Sequence, residues 1–196
     1  MRKKVLAYRR KKEGKTDYKK RLTLLLGNKP RLVIRKSNKG LGVQLIDYSP
    51  DGDVVLAAAH TSQLKKYGWA TSMSNIPAAY LTGMLLGKRA LQKKIDEAIL
   101  DIGLYPSTKG SRLYAAVKGA VDAGLKVPHG EEILPATEKL SGGHIAAYAQ
   151  KMKKEGPEKF QKHNSKYLAK KVEPESFQKY FDKIKEQIQN EGRRES

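Results

Sequence analysis

The sequence predicts an α/β chain, more narrowly an α+β mixed sheet: a three-stranded antiparallel meander plus one further strand, with helices packed on it. A disordered basic N-terminal arm precedes this body and a helical extension follows it. Three observations lead there. Short runs of strand character at 31–36, 42–48 and 53–60 are separated by the turn tetrapeptides Ser-Asn-Lys-Gly (37–40) and Ser-Pro-Asp-Gly (49–52), the punctuation of a meander. Helical and strand patterns then alternate, the order of a mixed sheet covered by helices. Finally, the charge is concentrated at one end.

Taken in order, residues 1–15 hold no apolar period long enough for a stable element, and Arg9–Lys12 is a run of four cations; an extended, disordered arm is expected. The spacing of Tyr18, Leu22, Leu25 and Leu26 predicts a helix over 17–26, capped by Thr16 or Asp17 and stopped by Gly27 and Pro30. Its apolar stripe should dock on the body and leave Lys19, Lys20 and Thr23 outside. In the first strand Leu32 and Ile34 face one way while Arg31, Val33 and Arg35 face the other, a sheet face suited to RNA. A short helix at 63–67 follows. The next helix, 76–91, carries Ala79, Gly83, Leu86, Gly87 and Ala90 at helical spacing, which calls for close packing. Residues 97–103 read as a buried strand and 112–125 as an amphipathic helix. At the end, helices at 141–153 and 176–189 flank a polar Lys/Glu/Gln stretch. The chain thus divides into a basic arm with the first helix (1–28), a mixed body (29–135) and a mixed-charge helical extension without its own core (136–196).

Composition narrows the function. The chain has 196 residues, 40 Lys+Arg against 20 Asp+Glu, and no cysteine. That length suits one domain of about 100–200 residues. No run approaches the ~20 apolar residues of a spanning helix, and Met1 is followed at once by charge, so neither a membrane role nor a secretory signal is expected. Disulfide and thiolate chemistry is excluded. Residues 1–40 hold 16 cations and 2 acids, a net +14; residues 41–150 hold 11 and 10; residues 151–196 hold 13 and 8. A near-neutral body with so basic an end points to a polyanionic partner, nucleic acid by default. Tyr8 and Tyr18 interleave with the cations and are placed to stack on unpaired bases.

Catalytic signals are weak. Asp47 and Asp101, with Glu97 or Asp53 nearby, could converge at one sheet edge, as the two-metal site of a ribonuclease-H-like nuclease requires, but no acidic pair has diagnostic spacing. Residues 83–88 mimic a phosphate loop with one residue too few, and Arg89 stands where Ser or Thr should hold magnesium. His60, His129, His144 and His163 are scattered, so no metal is expected. The pair Gly142-Gly143 before His144 reads as a hinge into a helix, with a phosphate-binding helix start as the lesser alternative, and Trp69 reads as core.

Thr16-Asp-Tyr-Lys-Lys-Arg-Leu22 followed by Gly27-Asn-Lys-Pro-Arg-Leu-Val-Ile-Arg-Lys-Ser-Asn38 resembles the archaeal/eukaryotic type of large-subunit ribosomal protein eighteen, the 5S-rRNA-binding family. Asn75-Ile-Pro-Ala-Ala-Tyr-Leu-Thr-Gly83, Ala98-Ile-Leu-Asp-Ile-Gly-Leu104 and Val127-Pro-His-Gly-Glu-Glu-Ile-Leu-Pro135 are similar to it again. The resemblance covers about residues 1–150, and the length is that of the archaeal form. It implies a noncatalytic protein without cofactor that binds 5S rRNA and attaches it to 23S rRNA in the central protuberance of the cytoplasmic large subunit. A neighbouring 5S-binding ribosomal protein is the implied protein partner. The RNA surface it implies comprises Tyr8, Arg9, Arg10, Lys11, Lys12, Thr16, Tyr18, Arg21, Arg35, Ser37, Asn38 and Lys39. A generic basic RNA-binding protein is the alternative that shares most of these features.

Overall fold

Strand β1 (Arg31–Lys36) organises the sheet. It pairs antiparallel with β2 (Leu41–Asp47), which pairs antiparallel with β3 (Val54–His60), while β4 (Ile99–Asp101) joins the other side of β1 in parallel. The order is therefore β3-β2-β1-β4, the meander plus one strand. The computed structural model describes residues 6–170 and 172–190. The first turn closes through Ser37, whose N–H donates to the Gly40 carbonyl at 2.8 Å while its Oγ accepts from the Gly40 N–H at 3.0 Å. The second closes with the Gly52 N–H on the Ser49 carbonyl. A bulge between Leu45 and Ile46 shifts the register against β3.

Alternation sorts the strand residues onto two faces. Leu32, Ile34, Val43, Leu45, Ala57 and Ala59 are buried on one of them, beneath helix α3 (Ile76–Gln92) and α4 (Arg112–Asp122). Asn75 caps α3 by accepting from the Ala78 N–H at 2.9 Å, and Pro77 lies in the first turn. The two helices pack backbone to backbone. A Cβ on Gly83 would fall inside the Ala116 carbonyl, one on Gly119 inside the Tyr80 carbonyl, and one on Gly87 within 2.8 Å of the Ala120 carbonyl. The small residues in the 83–88 run therefore serve helix packing, not phosphate binding.

The C-terminal part joins the same core. Helix α8 (Phe177–Gln189) buries Phe177, Phe181, Ile184 and Ile188, one stripe at helical spacing. Trp69, 1 % exposed, meets Phe177 edge-on at 5.8 Å and stacks on Tyr180 at 5.5 Å. The Tyr180 hydroxyl accepts from the Ala70 N–H and donates to the Gly68 carbonyl. Helices α5 (Thr137–Ser141) and α6 (Gly143–Glu155) meet at Gly142, whose φ of +83° makes the hinge and whose missing Cβ leaves room for the Phe177 ring.

Several expectations are corrected. The polar stretch after α6 is not without structure: α7 (Pro157–Leu168) forms there, starting at a proline and turning Phe160, Asn164 and Tyr167 inward at intervals of four and three. So sparse an apolar stripe escapes a periodicity search. The fourth strand is shorter than 97–103, because Glu97 bridges to Lys126 instead and Gly103 turns at φ +62°. Within the arm, Arg9–Lys12 forms one helical turn, α1, rather than extended chain; residues 1–5 lie outside the described residues. Helix α2 (Tyr18–Leu25) forms as expected but docks differently: Leu22 and Leu26 are exposed, and Leu24 and Leu25 are the half-buried leucines. The groups α2 offers the sheet are polar as well as apolar, which an apolar-stripe argument misses.

Two substitutions test this packing. Gly119→Ala is expected to lower the unfolding free energy by about 3 kcal/mol, the upper end of overpacking costs, read as a lower denaturant midpoint at unchanged slope. Phe181→Ala is expected to cost about 3–5 kcal/mol; a loss under ~1 kcal/mol would make α8 an appendage.

Candidate nucleic-acid interface

The arm is built from local bonds among exposed residues. The Arg10 Nε–H donates to the Thr16 Oγ1 at 2.9 Å, and the Lys15 and Thr16 N–H groups donate to the Arg10 carbonyl. Glu13 lies 3.4 Å from Arg9 and 2.8 Å from Lys15. Asp17 caps α2, its carboxylate accepting from the N–H groups of Lys19 and Lys20. The rings of Tyr8 and Tyr18 stand 4.9 Å apart, tying the arm to the helix, and Tyr8 remains 71 % exposed. Exposed ion pairs of this kind contribute little to stability, so their cations can exchange partners readily for phosphate.

Beneath the arm the second face of the sheet is occupied by an alternating ladder of charge. Arg21 pairs with Asp53 at 2.8 Å, Asp53 with Arg31 at 2.8 Å, Arg31 with Asp101 at 3.0 Å, and Asp101 with Arg35 at 3.3 Å. Arg35 also donates to the carbonyls of Ile34 and Asp101, each at 2.9 Å, and Lys20 donates to the Gly103 carbonyl at 3.1 Å. The side chain of Arg31 is 4 % exposed and that of Asp101 8 %. Charges so buried require partners, and here each has two. Partial burial pushes the Asp53 carboxyl up, but hydrogen bonds from Arg21 and Arg31 and the charges of both outweigh it and hold the group below its ordinary value.

Arm, helix and sheet enclose a cavity of about 100 Å³ whose lining includes Arg10, Thr16, Arg21, Arg31, Arg35 and Asp101. Of the sequence-predicted residues, the fold therefore brings Arg10, Thr16, Arg21 and Arg35 together, with the Tyr8–Tyr18 pair on the same arm. Arg9, Lys11 and Lys12 stand exposed on α1. Ser37, Asn38 and Lys39 are exposed in the β1–β2 turn, two residues beyond Arg35, and the Ser37 hydroxyl is spent on the turn itself. The sheet face expected as an open platform is closed over Arg31 and Val33, which are buried, and open at Arg35, Gln44, Ala58 and His60. The surface implied by the resemblance leaves out Lys15, Lys20 and Arg31, although the strand pattern already sets Arg31 on the sheet face suited to RNA. The available signal was a cation inside an apolar strand, which demands buried carboxylates elsewhere.

The fold separates the carboxylates that a two-metal site would need to bring together. Arg31 stands between Asp53 and Asp101, Asp47 accepts from the Tyr48 N–H at 2.9 Å as a strand-end cap, and Glu97 pairs with Lys29. Among the described residues no group of three potential metal ligands exists.

A carboxylate with a lowered value stabilises the fold above its unfolded value, near 3.9, and loses that contribution as pH falls through the folded one. Asp53→Asn is therefore expected to lower stability by about 1–3 kcal/mol at pH 7. The gap to the unaltered chain should shrink as the pH drops below about 4, in denaturant titrations at both pH values.

The family comparison bears on the same segments. A family model described as "Ribosomal large subunit proteins 60S L5, and 50S L18" matches residues 2–97 and 93–130, which span the arm, the sheet and α4. The "Large ribosomal subunit protein uL18" of Caldivirga maquilingensis is 50 % identical over 182 residues, covering 92 % of this chain and 88 % of that protein. The matched residues include the ladder and the cavity, and the chain accordingly belongs to the ribosomal large-subunit family of 60S L5 and 50S L18, whose members are structural constituents of the ribosome and not enzymes.

Proposed function

We propose that the protein binds 5S rRNA through the arm, α2 and the β1–β2 turn, and attaches it to 23S rRNA in the central protuberance of the cytoplasmic large subunit, beside a neighbouring 5S-binding ribosomal protein. The observation that carries this reading is the convergence of Arg10, Thr16, Arg21 and Arg35 on one cavity, flanked by the exposed cations of α1 and the Tyr8–Tyr18 pair. RNA helices are recognised through shape, phosphates and 2′-hydroxyls, and unpaired bases through stacking. A surface of guanidinium and ammonium groups with one exposed tyrosine offers both modes. The ladder beneath keeps the cations of α2 and β1 in position, while those of α1 remain on a short, locally bonded turn that adapts to an irregular RNA surface. The resemblance over residues 1–150 supplies the identity of the RNA; the charge and the cavity supply the chemistry.

Filter binding to cognate 5S rRNA with excess tRNA, across a salt series, tests this reading. Binding is expected to survive tRNA and to fall with salt at a log–log slope of about −0.7 to −0.9 per phosphate neutralised; tRNA-sensitive binding would reduce the protein to a general polyanion binder. Deleting residues 1–15 is expected to leave the thermal unfolding of the body in place and to weaken binding at least tenfold, about 1.4 kcal/mol or more. An unchanged Kd would remove the arm from the interface.

A further inference from the structure

We propose that the cavity between the arm and the sheet is a socket for a single phosphate group. The proposal rests on the RNA reading above only for the source of that phosphate. Three segments far apart in the chain meet there: the arm through Arg10 and Thr16, β1 through Arg31 and Arg35, and the end of β4 through Asp101 and Gly103. Six cations line it against two carboxylates, Asp17 and Asp101, so a compact anion meets a net positive field.

Arg31 carries the argument. Both of its terminal nitrogens are committed, one to Asp101 and one to Asp53, while its Nε–H is buried without a hydrogen-bond partner. The residue is only 3 % exposed, and it lines the cavity. A buried, charged donor left unmet is costly, and a charged N–H is a strong donor to a single phosphate oxygen. Arg10 and Lys20, exposed at the margin of the same cavity, supply further positive charge that can close on the anion from the solvent side. Occupation would also fasten the arm to the sheet, because the groups that surround the anion come from both.

The test follows the Nε–H signal of Arg31 by NMR in the full chain labelled with ¹⁵N-arginine, assigned by its loss in Arg31→Lys. Inorganic phosphate is titrated at fixed ionic strength against chloride. A saturating shift with one site per chain is expected, weakened at least fivefold in Arg10→Gln/Lys20→Gln, two exposed side chains outside the ladder. A linear drift equal to that in chloride, or an affinity unchanged in the double variant, overturns the socket. Adding 5S rRNA to the phosphate-loaded chain identifies the source: release of phosphate with a retained Arg31 shift assigns the socket to an RNA phosphodiester, and retention of phosphate beside bound RNA assigns it to a separate phosphate compound. Tight, tRNA-resistant rRNA binding by a chain whose Arg31 ignores phosphate overturns the socket and leaves the RNA reading standing. A saturable socket in a chain that does not bind 5S rRNA does the reverse.

Discussion

The burial of Arg31 is the constraint on which the arrangement of the N-terminal half depends. A guanidinium that is 4 % exposed cannot be left unpaired, so the fold must bring Asp53, just before β3, and Asp101, at the end of β4, to opposite ends of its fork. Each carboxylate then has capacity for a second cation, which fixes Arg21 on α2 and Arg35 on β1. One buried charge thereby orders five side chains from four segments. It also explains how β4, only three residues long, holds its place at the sheet edge: three residues of parallel pairing are supplemented by an ion pair, the Arg35 bond to the Asp101 carbonyl and the Lys20 bond to the Gly103 carbonyl.

The opposite face of the sheet follows a different logic. There the backbones of α3 and α4 meet through Gly83, Gly87 and Gly119, and contacts that close leave no tolerance for a methyl group. Helix α8 completes this layer with an aromatic cluster around Trp69 and Tyr80, where Phe181 lies 5.7 Å from the Tyr80 ring. The Tyr80 hydroxyl, raised well above its ordinary value by burial and by Asp122, donates to that carboxylate at 2.9 Å. The body is thus close-packed below the sheet and electrostatically clamped above it. Its upper side can carry an adaptable arm without the rest of the fold having to move.

Charge balance connects the two layers to the ribosomal role. The ladder alternates in sign, so the body consumes almost as much positive charge as it displays. The surplus includes the cations of α1, of α2 and of the β1–β2 turn, part of the +14 carried by the first 40 residues. That surplus is what the proposed interface would present to RNA.

Legible in the residues alone are the meander with its two turns, the placing of Leu32 and Ile34 on one face, the small-residue helix at Gly83 and Gly87, and the basic end. These features follow from periodicity, turn chemistry and charge, all of which are local along the chain. The residues quoted from Thr16 to Asn38 also carried the family. Visible only in the folded chain is which groups face one another: that Arg31 needs Asp53 and Asp101, that α2 docks through Leu24, Arg21 and Lys20 while Leu22 and Leu26 stay exposed, and that Phe177 and Phe181 return to Trp69 and Tyr80 from more than a hundred residues away. Ion pairing and core packing between distant segments leave no period in the sequence, because their partners are selected by the fold and not by spacing.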